Sequence, residues 1–312
     1  MRILRRPAGL SDRPTVLTIG NFDGVHLGHQ ALLRQLVASA RALSLPSVVM
    51  TFEPHPLEYL RPGQAPARLC SLREKLLLLS AQSIDRVFLC RFNQNFATLN
   101  AENFITHYLI NKIRPRHIII GDDFRFGAQR AGDLQLLAEA GRQQGFTVET
   151  MATQSVNGQR ISSSAVRNAL KNGNFTDAQQ LLGRTYSIAG RVISGRKLAR
   201  QIGYPTANIR LRHRYPALTG VFAVWVEGLT DHPVGGVANI GTRPTVSQSG
   251  RTVLEVHLFD WNADCYGRHL RVHFVHKLRD EQKFPSMAAL TAQIACDAEA
   301  ARAWLSQNSN IL

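Results

Sequence analysis

The 312-residue sequence predicts two domains of different fold class, an α/β domain followed by a small antiparallel β-barrel or sandwich that ends in a helix. The length corresponds to about two domains at roughly 150 residues each. In the first part, short apolar runs alternate with amphipathic stretches of helical period, a pattern typical of βαβ units on a buried parallel sheet. After about Thr185, glycine-punctuated runs of β-branched and aromatic residues replace that pattern. We therefore place a domain boundary near residue 184.

The predicted elements follow from these periodicities. The strands of the first part are Val16–Ile19, Val48–Phe52, Arg86–Cys90, Ile118–Ile120 and Thr147–Met151. The helices of the first part are 29–43, Leu72–Leu79, Asn100–Ile113, Asp133–Arg142 and Thr176–Leu182. The strands of the second part are Tyr186–Ile193, Val221–Val226, Val234–Ile240, Val253–Phe259 and Leu270–Val275. The chain then returns to helix over Ser286–Leu305, with Ser286 as the predicted N-cap.

Composition and cysteine usage exclude several classes of protein. The apolar fraction of 44% and the charged fraction of 19% exclude wholesale disorder. No apolar run approaches the roughly 18 residues that a membrane-spanning helix needs, and the first residues lack the apolar core of a secretory signal. The four cysteines are far apart and show no CxxC or zinc spacing, which favours a reduced, cytoplasmic protein.

The chain is strongly basic, with 37 Lys and Arg against 22 Asp and Glu, a formal net charge of +15. Such an excess favours polyanionic partners, which include nucleic acids, anionic membranes and small phosphorylated substrates. The basic residues form no run of five or more, and the predicted strands show no clear aromatic stripe of the kind that stacks on bases. Charge alone therefore does not choose between a phosphate-handling enzyme and a nucleic-acid-binding protein.

The segment GNFDGVHLGHQALL, Gly20–Leu33, lies where the first predicted strand ends and the first helix begins. Ligands of open α/β sheets bind at such positions, and Gly20 and Gly28 allow close approach of the backbone. His26 and His29 project from one face if the first helical turn includes both. Together with free backbone N–H groups they predict a phosphate cradle that stabilises charge on phosphorus and on departing pyrophosphate. One alternative is a surface His-x-x-His with no chemical role, and the other is a zinc pair, although no third ligand lies at a suitable spacing.

The segment GDDFRFG, Gly121–Gly127, follows the predicted strand Ile118–Ile120 directly. Its acidic residues and its phenylalanines are therefore expected at the same edge of the sheet as the histidines. In one interpretation Phe124 or Phe126 stacks on the flat ring of a ligand. In the other, both side chains pack in a local core of the loop.

The segment ISSSAVR, Ile161–Arg167, predicts the start of a helix. Ser163 and Ser164 stand at cap positions, where their hydroxyls and the guanidinium of Arg167 could hold a triphosphate. As a helix cap alone, the segment would carry little functional information.

In the second part, the spacing of Gly190 and Gly195 resembles that of a P-loop, but we reject this interpretation. Arg196 stands where the Walker lysine belongs, Lys197 stands where Ser or Thr would bind magnesium, and no crossover helix follows. A glycine-punctuated turn between barrel strands can still form an anion nest from its backbone amides.

Two further features of the second part carry polar chemistry. In GYPTAN, Thr206 and Asn208 point the same way if the segment is extended, and their oxygens are hard ligands that could complete the shell of a magnesium ion held by phosphates. An ordinary turn is the alternative. Glu255 lies within an otherwise apolar strand, so it is either at a solvated edge or placed to accept a proton from an alcohol.

Four segments of the first part, GNFDGVHLGH, TFEPHP, GDDFRFG and ISSSAVR, occur in an order that resembles the adenylyltransferase module of the bacterial bifunctional riboflavin kinase/FAD synthetase family. The resemblance covers residues 1–183 and implies a Rossmann-like nucleotidylyltransferase domain in which His26 and His29 bind and activate ATP phosphates. It also implies a nucleotide site made by Gly20, Asn21, Phe22, Asp23, Gly28, Asp123, Ser163, Ser164 and Arg167. Phe124 and Phe126 would bind the flavin, and Asp123 falls where some members carry Asn.

Three segments of the second part, VANIGTRPTV, LEVHLFDWNADCYG and LRDEQKF, resemble the riboflavin kinase module of the same family. The resemblance covers about residues 184–305 of a predicted domain over 184–312. This implies a small antiparallel β-barrel with a C-terminal helix, in which Glu255 is the catalytic base. The implied ATP-binding residues are Gly190, Gly195, Lys197, Thr206 and Asn208, of which Thr206 and Asn208 serve the metal. The implied flavin-binding residues are Arg279, Glu281 and Phe284. Ala199 occupies a position that is often Gly.

The resemblance implies an enzyme that uses ATP and Mg²⁺ to convert riboflavin to FMN, and a second ATP to convert FMN to FAD with release of pyrophosphate. FMN and FAD are then products, the partners are small molecules, and neither nucleic acid nor membrane is involved; the oligomeric state is left open. One rival is a nucleotidylyltransferase with another acceptor, such as pantetheine phosphate or nicotinamide mononucleotide. The other rival is a nucleic-acid-binding protein with an OB-like barrel.

Overall fold

The computed structural model describes residues 1–5, 13–195, 203–211, 216–241 and 252–308. These residues form two compact units, one drawn from Met1–Pro66 and Leu72–Ser162 and the other from Ala67–Ser71 and Ser163–Leu312. Over the described ranges, no helix combines the length and the apolar character that crossing a membrane requires.

The first unit is built on a six-stranded sheet in which every strand pairing is parallel. Its strands are β1 (Arg2–Leu4), β2 (Thr15–Ile19), β3 (Ser47–Glu53), β4 (Arg86–Arg91), β5 (Pro115–Gly121) and β6 (Thr147–Met151). Their order across the sheet is β1-β4-β3-β2-β5-β6. All five residues of β2 are buried, because a parallel sheet is covered by helices on both faces. A short hairpin, β7 (Ser155–Val156) and β8 (Gln159–Arg160), follows.

The helices of the first unit pack on this sheet. They are α1 (Leu27–Ala42), α2 (Pro56–Leu60), α3 (Leu72–Ser80), α4 (Gln94–Ala97), α5 (Ala101–Phe104) and α6 (Leu134–Gln144). Beyond α5 the chain does not continue as the predicted α-helix, since Ile105–Ile113 is a π-helix. The wider π turn keeps Ile105, Leu109 and Ile113, which are four residues apart, all within the core.

The strand order creates a switch point beside β2. The chain runs from β2 outward to β3 and β4, and then crosses to β5 on the other side of β2. The loops that follow β2 and β5 diverge at such a point and leave a crevice outside the carboxyl ends of the strands. The topology therefore brings the Gly20–Leu33 and Gly121–Gly127 segments to the same edge of the sheet.

The second unit contains a closed six-stranded barrel, which decides between the barrel and the sandwich that the sequence left open. Two helices precede it, α7 (Ser163–Lys171) and α8 (Phe175–Leu182), and one helix follows it, α9 (Met287–Gln307). The strands are β9 (Ser187–Ile193), β10 (Thr206–Arg210), β11 (Gly220–Glu227), β12 (Val234–Gly241), β13 (Val253–Leu258) and β14 (His269–Arg279). Their order is β10-β13-β12-β11-β14-β9, all pairings are antiparallel, and β9 closes on β10. The predicted fold class is confirmed for both units.

Alternation along the barrel strands sends apolar side chains inward and other side chains outward. Ala238, Ile240, Leu254 and Val256 are completely buried and fill the interior. Part of the outer face is covered by α9, whose Ala301 and Leu305 belong to a cluster with residues of β11 and β14. The polar side chains of β10, β12 and β13 lie on this outer face, because they alternate with the interior residues.

Candidate active sites

The first site begins with the tight turn between β2 and α1. Phe22, Gly24 and Val25 all have left-handed backbone, with φ of 49°, 76° and 41°. For Phe22 and Val25 this conformation costs energy, which their complete or nearly complete burial in the core of the unit offsets. The turn delivers His26 to the N-cap of α1, where its Nδ1 accepts a hydrogen bond from the backbone N–H of His29 at 3.3 Å.

The two histidine rings are stacked face to face. Their centroids are 3.6 Å apart with an interplanar angle of 17°, and the Phe22 ring lies 5.0 Å from His29. The sequence allowed both histidines to lie in the first helical turn, whereas the structure uses His26 as the cap and His29 as a residue of the turn. Gly28 makes room for this pair, since a Cβ at Gly28 would lie 3.3 Å from His26 Nδ1 and 3.6 Å from the carbonyl oxygen of Ile161.

The surroundings of His29 favour its neutral form. Burial, the neighbouring His26 and the ammonium of Lys75 lower the pKa of His29 well below its ordinary value of 6.5. Its Nδ1 is sealed from solvent and has no hydrogen-bond partner among the described residues. An uncharged imidazole with an unused ring nitrogen at a helix N-terminus is suited to receive an anion.

The residues around the histidine turn are firmly seated. The N–H of Gly20 donates to the carbonyl of Met50 at 3.1 Å, and Thr51 Oγ1 donates to the carbonyl of Asn21 at 3.2 Å. Asn21 itself is exposed, whereas Asp23 is buried. These contacts tie the turn to the end of β3, the strand next to β2.

The segment after β5 contributes exposed acids and one accessible ring. Asp123 is exposed and accepts a hydrogen bond from Arg160 Nη2 at 2.8 Å. Hydrogen bonds from the backbone and the hydroxyl of Thr153 lower the pKa of Asp122. Phe124 is half-buried and stacks on Phe126 with centroids 5.6 Å apart.

Phe126 itself is packed in the core of the first unit, where it contacts Phe104 at a centroid distance of 5.4 Å. Its ring fills the space beside Gly132, since a Cβ at Gly132 would lie 2.6 Å from Phe126 Cε2. The structure therefore gives Phe126 the position of a loop-core residue, and of the two rings Phe124 has the more accessible face.

Ser163, Ser164 and Arg167 belong to the second unit, where Ser163 is the first residue of α7. Arg167 Nε donates to the carbonyl of Ala67 at 2.5 Å, a contact within the same unit. Of the ISSSAVR segment, Ile161 and Ser162 lie in the unit that carries the histidines.

The second site is a row of side chains across three neighbouring barrel strands. In the strand register Glu255 of β13 is paired with Asn208 of β10 on one side and with Asn239 of β12 on the other. Paired residues share a face, with Cβ atoms about 4.5–5.5 Å apart. Glu255 is half-buried on the outer face of the barrel, so its carboxylate is neither sealed in the core nor fully solvated.

The last three residues of GYPTAN are the first residues of β10 and are therefore extended, which places Thr206 and Asn208 on the same face as Glu255. Asn208 is 8% exposed, and its amide nitrogen lies 3.4 Å from the carbonyl oxygen of Thr206 as a donor, which orients Oδ1 as an acceptor. Gly195 packs directly on this amide, since a Cβ at Gly195 would lie 2.6 Å from Asn208 Cγ. Gly190, in contrast, lies within β9 and admits the neighbouring strand β10.

The donor set around Asn208 fits magnesium better than a transition metal. No group of three or more His, Cys, Asp or Glu side chains suited to a metal ion occurs in the described part of the chain, which also leaves the zinc interpretation of the two histidines unsupported. A hydroxyl and an amide oxygen on one strand face are ligands that Mg²⁺ accepts when phosphates provide the remaining oxygens.

The residues predicted to contact the flavin lie at and beyond the end of β14. Arg279 forms a double hydrogen bond with the buried carboxylate of Asp297 on α9, with its Nη2 donating to Oδ2 at 2.7 Å. The guanidinium also lies over the Phe284 ring at 5.6 Å. The carboxylate of Glu281 occupies the space where a side chain of Gly241 would be.

Sequence reasoning missed two residues at these sites, Lys75 and Asn239. Lys75 on α3 is 3% exposed and shares the buried face of that helix with Leu79, four residues later. A lysine within an apolar stripe was therefore the sequence feature that could have indicated its role. Asn239 interrupts an alternating apolar strand in the same way. Lys197 and Ala199 lie outside the described residues.

The sequence matches two protein-family models, FAD synthetase over residues 10–165 and riboflavin kinase over residues 182–305. The bifunctional riboflavin kinase/FMN adenylyltransferase of Escherichia coli K12 is 50% identical, over 97% of this chain and 97% of its own length. The protein of the same name from Pseudomonas fluorescens is 48% identical, over 93% of each chain.

Among solved structures, a protein described as a macrolide-efflux protein from Streptococcus pneumoniae aligns with a TM-score of 0.77 and 31% identity, covering 96% of this chain and 98% of its own. The likeness therefore extends through both units. Since the two matched models follow one another along the chain and the similarity to the curated relatives is nearly end to end, the chain belongs to the bifunctional riboflavin kinase/FMN adenylyltransferase family.

Proposed function

We propose that this member of the bifunctional riboflavin kinase/FMN adenylyltransferase family performs its two reactions at the two sites described above. His26 and His29 serve the adenylyl transfer that converts FMN to FAD, and Glu255 serves the phosphoryl transfer that converts riboflavin to FMN. The observation that carries the proposal is that each unit has its own set of reactive side chains, the stacked histidines at the topological switch point of the first unit and the half-buried Glu255 in the barrel of the second.

In the adenylyl transfer, a phosphate oxygen of FMN attacks the α-phosphorus of ATP, and pyrophosphate leaves. The N-terminus of α1 offers backbone N–H groups and a positive dipole end to these anions. A bound triphosphate also favours the charged form of a nearby imidazole, so it raises the pKa of His29 from its lowered value in the free enzyme. The resulting imidazolium and the ammonium of Lys75 then oppose the negative charge that develops in the transition state.

Gly20, Asn21, Phe22 and Asp23 shape the nucleotide side of this site, and we assign Asp123, Ser163, Ser164 and Arg167 to the same nucleotide by the family resemblance. Phe124 supplies the accessible ring for the flavin, whereas Phe126 supports it from the core.

In the phosphoryl transfer, Glu255 accepts the proton of the terminal hydroxyl of riboflavin as that oxygen attacks the γ-phosphorus of a different ATP molecule. Thr206 and Asn208 would hold a magnesium ion, which neutralises the phosphate charges when it is bound. Gly195 keeps Asn208 in place, and the assignment of Gly190 and Lys197 to the same ATP rests on the family resemblance. Arg279, Glu281 and Phe284 are assigned to the flavin on the same ground.

The proposed localisation and the class of partners rest on cysteine chemistry and on net charge. Four free cysteines suit the reducing cytoplasm, where we place the protein. The formal charge of +15 suits an enzyme whose ligands are phosphate anions, and we propose no nucleic-acid partner.

Incubation with riboflavin, ATP and Mg²⁺, with flavins separated by chromatography over time, tests the proposal. We expect FMN to appear first and FAD to follow, with one pyrophosphate released for each FAD. Adenylylation of pantetheine phosphate or of nicotinamide mononucleotide in preference to FMN would contradict it.

A further inference from the structure

Asn239 carries an unused polar group beside the proposed catalytic base. Its amide oxygen is sealed from solvent and has no hydrogen-bond partner among the described residues. A buried acceptor without a partner costs roughly 1–3 kcal/mol, so such groups in folded proteins generally have a purpose. Exchange of the amide oxygen and nitrogen by a flip leaves one acceptor and two donors at the same place.

The barrel register fixes where this amide lies. Asn239 of β12 is paired directly with Glu255 of β13, and the residues on either side of it, Ala238 and Ile240, point into the core at 0% exposure. The side chain of Asn239 therefore lies on the outer face, in the same row as Glu255 and Asn208.

The neighbours of Asn239 on the outer face of the barrel place it between the region covered by α9 and the residues at the end of β14. Two residues before it, Val237 packs against the cluster that contains α9. Two residues after it, Gly241 accommodates the carboxylate of Glu281. The row continues from Asn239 through Val221 of β11 to Arg279 of β14, so it leads from the proposed base toward the proposed flavin-contacting residues.

The spacing of this row matches the chemistry of the flavin side chain. Adjacent strands lie about 4.8 Å apart, so a molecule whose terminal hydroxyl meets Glu255 has its next carbon atoms over Asn239. In riboflavin those carbons carry secondary hydroxyls, each of which can donate a hydrogen bond and accept another.

We propose that Asn239 binds a secondary hydroxyl of the ribityl chain and thereby selects flavins with a hydroxylated side chain, an assignment that rests on the proposed role of Glu255. The hydroxyl satisfies the orphaned amide, and a flavin with a plain alkyl chain leaves it unsatisfied. Selection of this kind arises because an analogue that lacks the hydroxyl leaves buried polar groups unpaired.

The test compares two substrates, riboflavin and a flavin whose side chain is a plain hydroxypentyl chain. Asn239→Leu keeps the approximate volume and removes the hydrogen bond. We expect kcat/KM for riboflavin to fall about tenfold, the worth of one hydrogen bond, while kcat/KM for the hydroxypentyl flavin changes little. Asn239→Ser retains a hydrogen-bonding group and should recover part of the preference for riboflavin.

Val237→Ala, on the same strand and face, is the matched control and should affect both substrates equally. If Asn239→Leu lowers kcat/KM equally for both substrates, the role of Asn239 is structural. If kcat/KM is unchanged for both, Asn239 has no role in substrate selection. Either result overturns the proposal. Glu255→Gln separates failure of this proposal from failure of the proposed function. Full phosphorylation activity in that variant would show that Glu255 is not the base, whatever the role of Asn239.

Discussion

The two sites of this chain are built in opposite ways. The proposed adenylyl-transfer site depends on one short stretch, in which a left-handed turn, an N-cap and the first helical turn bring His26 and His29 together. The proposed phosphoryl-transfer site depends on three adjacent strands, and its row of Asn208, Glu255 and Asn239 exists only when β10, β13 and β12 pair in the observed register. A site within one short stretch does not depend on strand register, whereas a slip of one residue between two of these strands would move a side chain of the row to the opposite face.

The two sites also handle charge differently. Burial, His26 and Lys75 lower the pKa of His29, which favours its neutral form, and in the proposed mechanism a bound anion reverses this shift. Glu255 lies half-buried on a barrel face, where its partners in the strand register are the amides Asn208 and Asn239. In the proposed mechanism one site acts by gaining positive charge and the other by accepting a proton, so single substitutions should affect the two activities separately.

The largest effect is expected for Glu255→Gln. Removal of the base should lower riboflavin phosphorylation by about 10²–10⁴, while FMN adenylylation stays at the wild-type rate. Separate assays that start from riboflavin and from FMN measure the two rates. Glu299→Gln, an exposed carboxylate on α9, is the control, and an equal loss of both activities in Glu255→Gln would contradict separate sites.

His29→Ala should show the reverse pattern. Loss of one group that stabilises developing charge should lower FMN adenylylation by about 10²–10³ and leave riboflavin phosphorylation intact. His107→Ala, at an exposed position of the same unit, provides the control. A wild-type rate of FAD formation in His29→Ala would remove this ring from the mechanism.

Gly195→Ala tests how closely Asn208 must be held. An added Cβ overlaps the Asn208 amide, and a displacement of about 1 Å can cost about 10²-fold in rate, so phosphorylation should fall by up to that factor. The rate is measured at saturating riboflavin with varied Mg-ATP. Gly63→Ala is the matched control, because an added Cβ there meets nothing within 4 Å; equal rates in the two variants would refute the role of Gly195.

Gly28→Ala is the corresponding change at the other site and should have a smaller effect. Its Cβ would approach His26 Nδ1 to 3.3 Å, so the ring must shift by only a few tenths of an ångström. We expect FMN adenylylation to fall about tenfold, since larger misplacements near 1 Å cost about 10²-fold. A loss as large as that in His29→Ala would mean that the ring tolerates no displacement.

The smallest effect concerns stability and pH. Because burial lowers the pKa of His29, the unfolded chain binds a proton that the folded chain does not, in the range below about pH 6.5. The free energy of unfolding therefore falls as the pH drops through this range. At higher pH His29 is neutral in both the folded and the unfolded chain, and this loss of stability is absent. Urea unfolding of the wild type and of His29→Asn at several pH values should give a flatter pH dependence for the variant, and identical slopes would contradict a lowered pKa of His29.

The contrast between local and register-based sites also explains what could be predicted from the sequence. The order of helices and strands in the first unit follows from the period of its apolar residues. Because the histidine segment is contiguous, its position at the end of a strand could be predicted from the sequence. The π-helix over Ile105–Ile113 was not, because its apolar spacing also fits an ordinary amphipathic helix.

In the second unit, the strand β10 was not assigned, because three of its five residues, Thr206, Asn208 and Arg210, are polar. Its pairing with Glu255 depends on a register between segments nearly fifty residues apart, which no local pattern encodes. Asn239 and Lys75 were missed for a related reason, since each is a polar residue inside an apolar pattern and gains meaning only from its neighbours in space.

One measurement tests the separation of the two sites most directly. Glu255→Gln alone should make almost no FAD from riboflavin, because it lacks FMN, and His29→Ala alone should stop at FMN. A mixture of the two variants with riboflavin, ATP and Mg²⁺ should form FAD, because FMN released by one protein is used by the other. If the mixture accumulates no FAD although each variant is folded and retains its other activity, the account of two independent sites is contradicted.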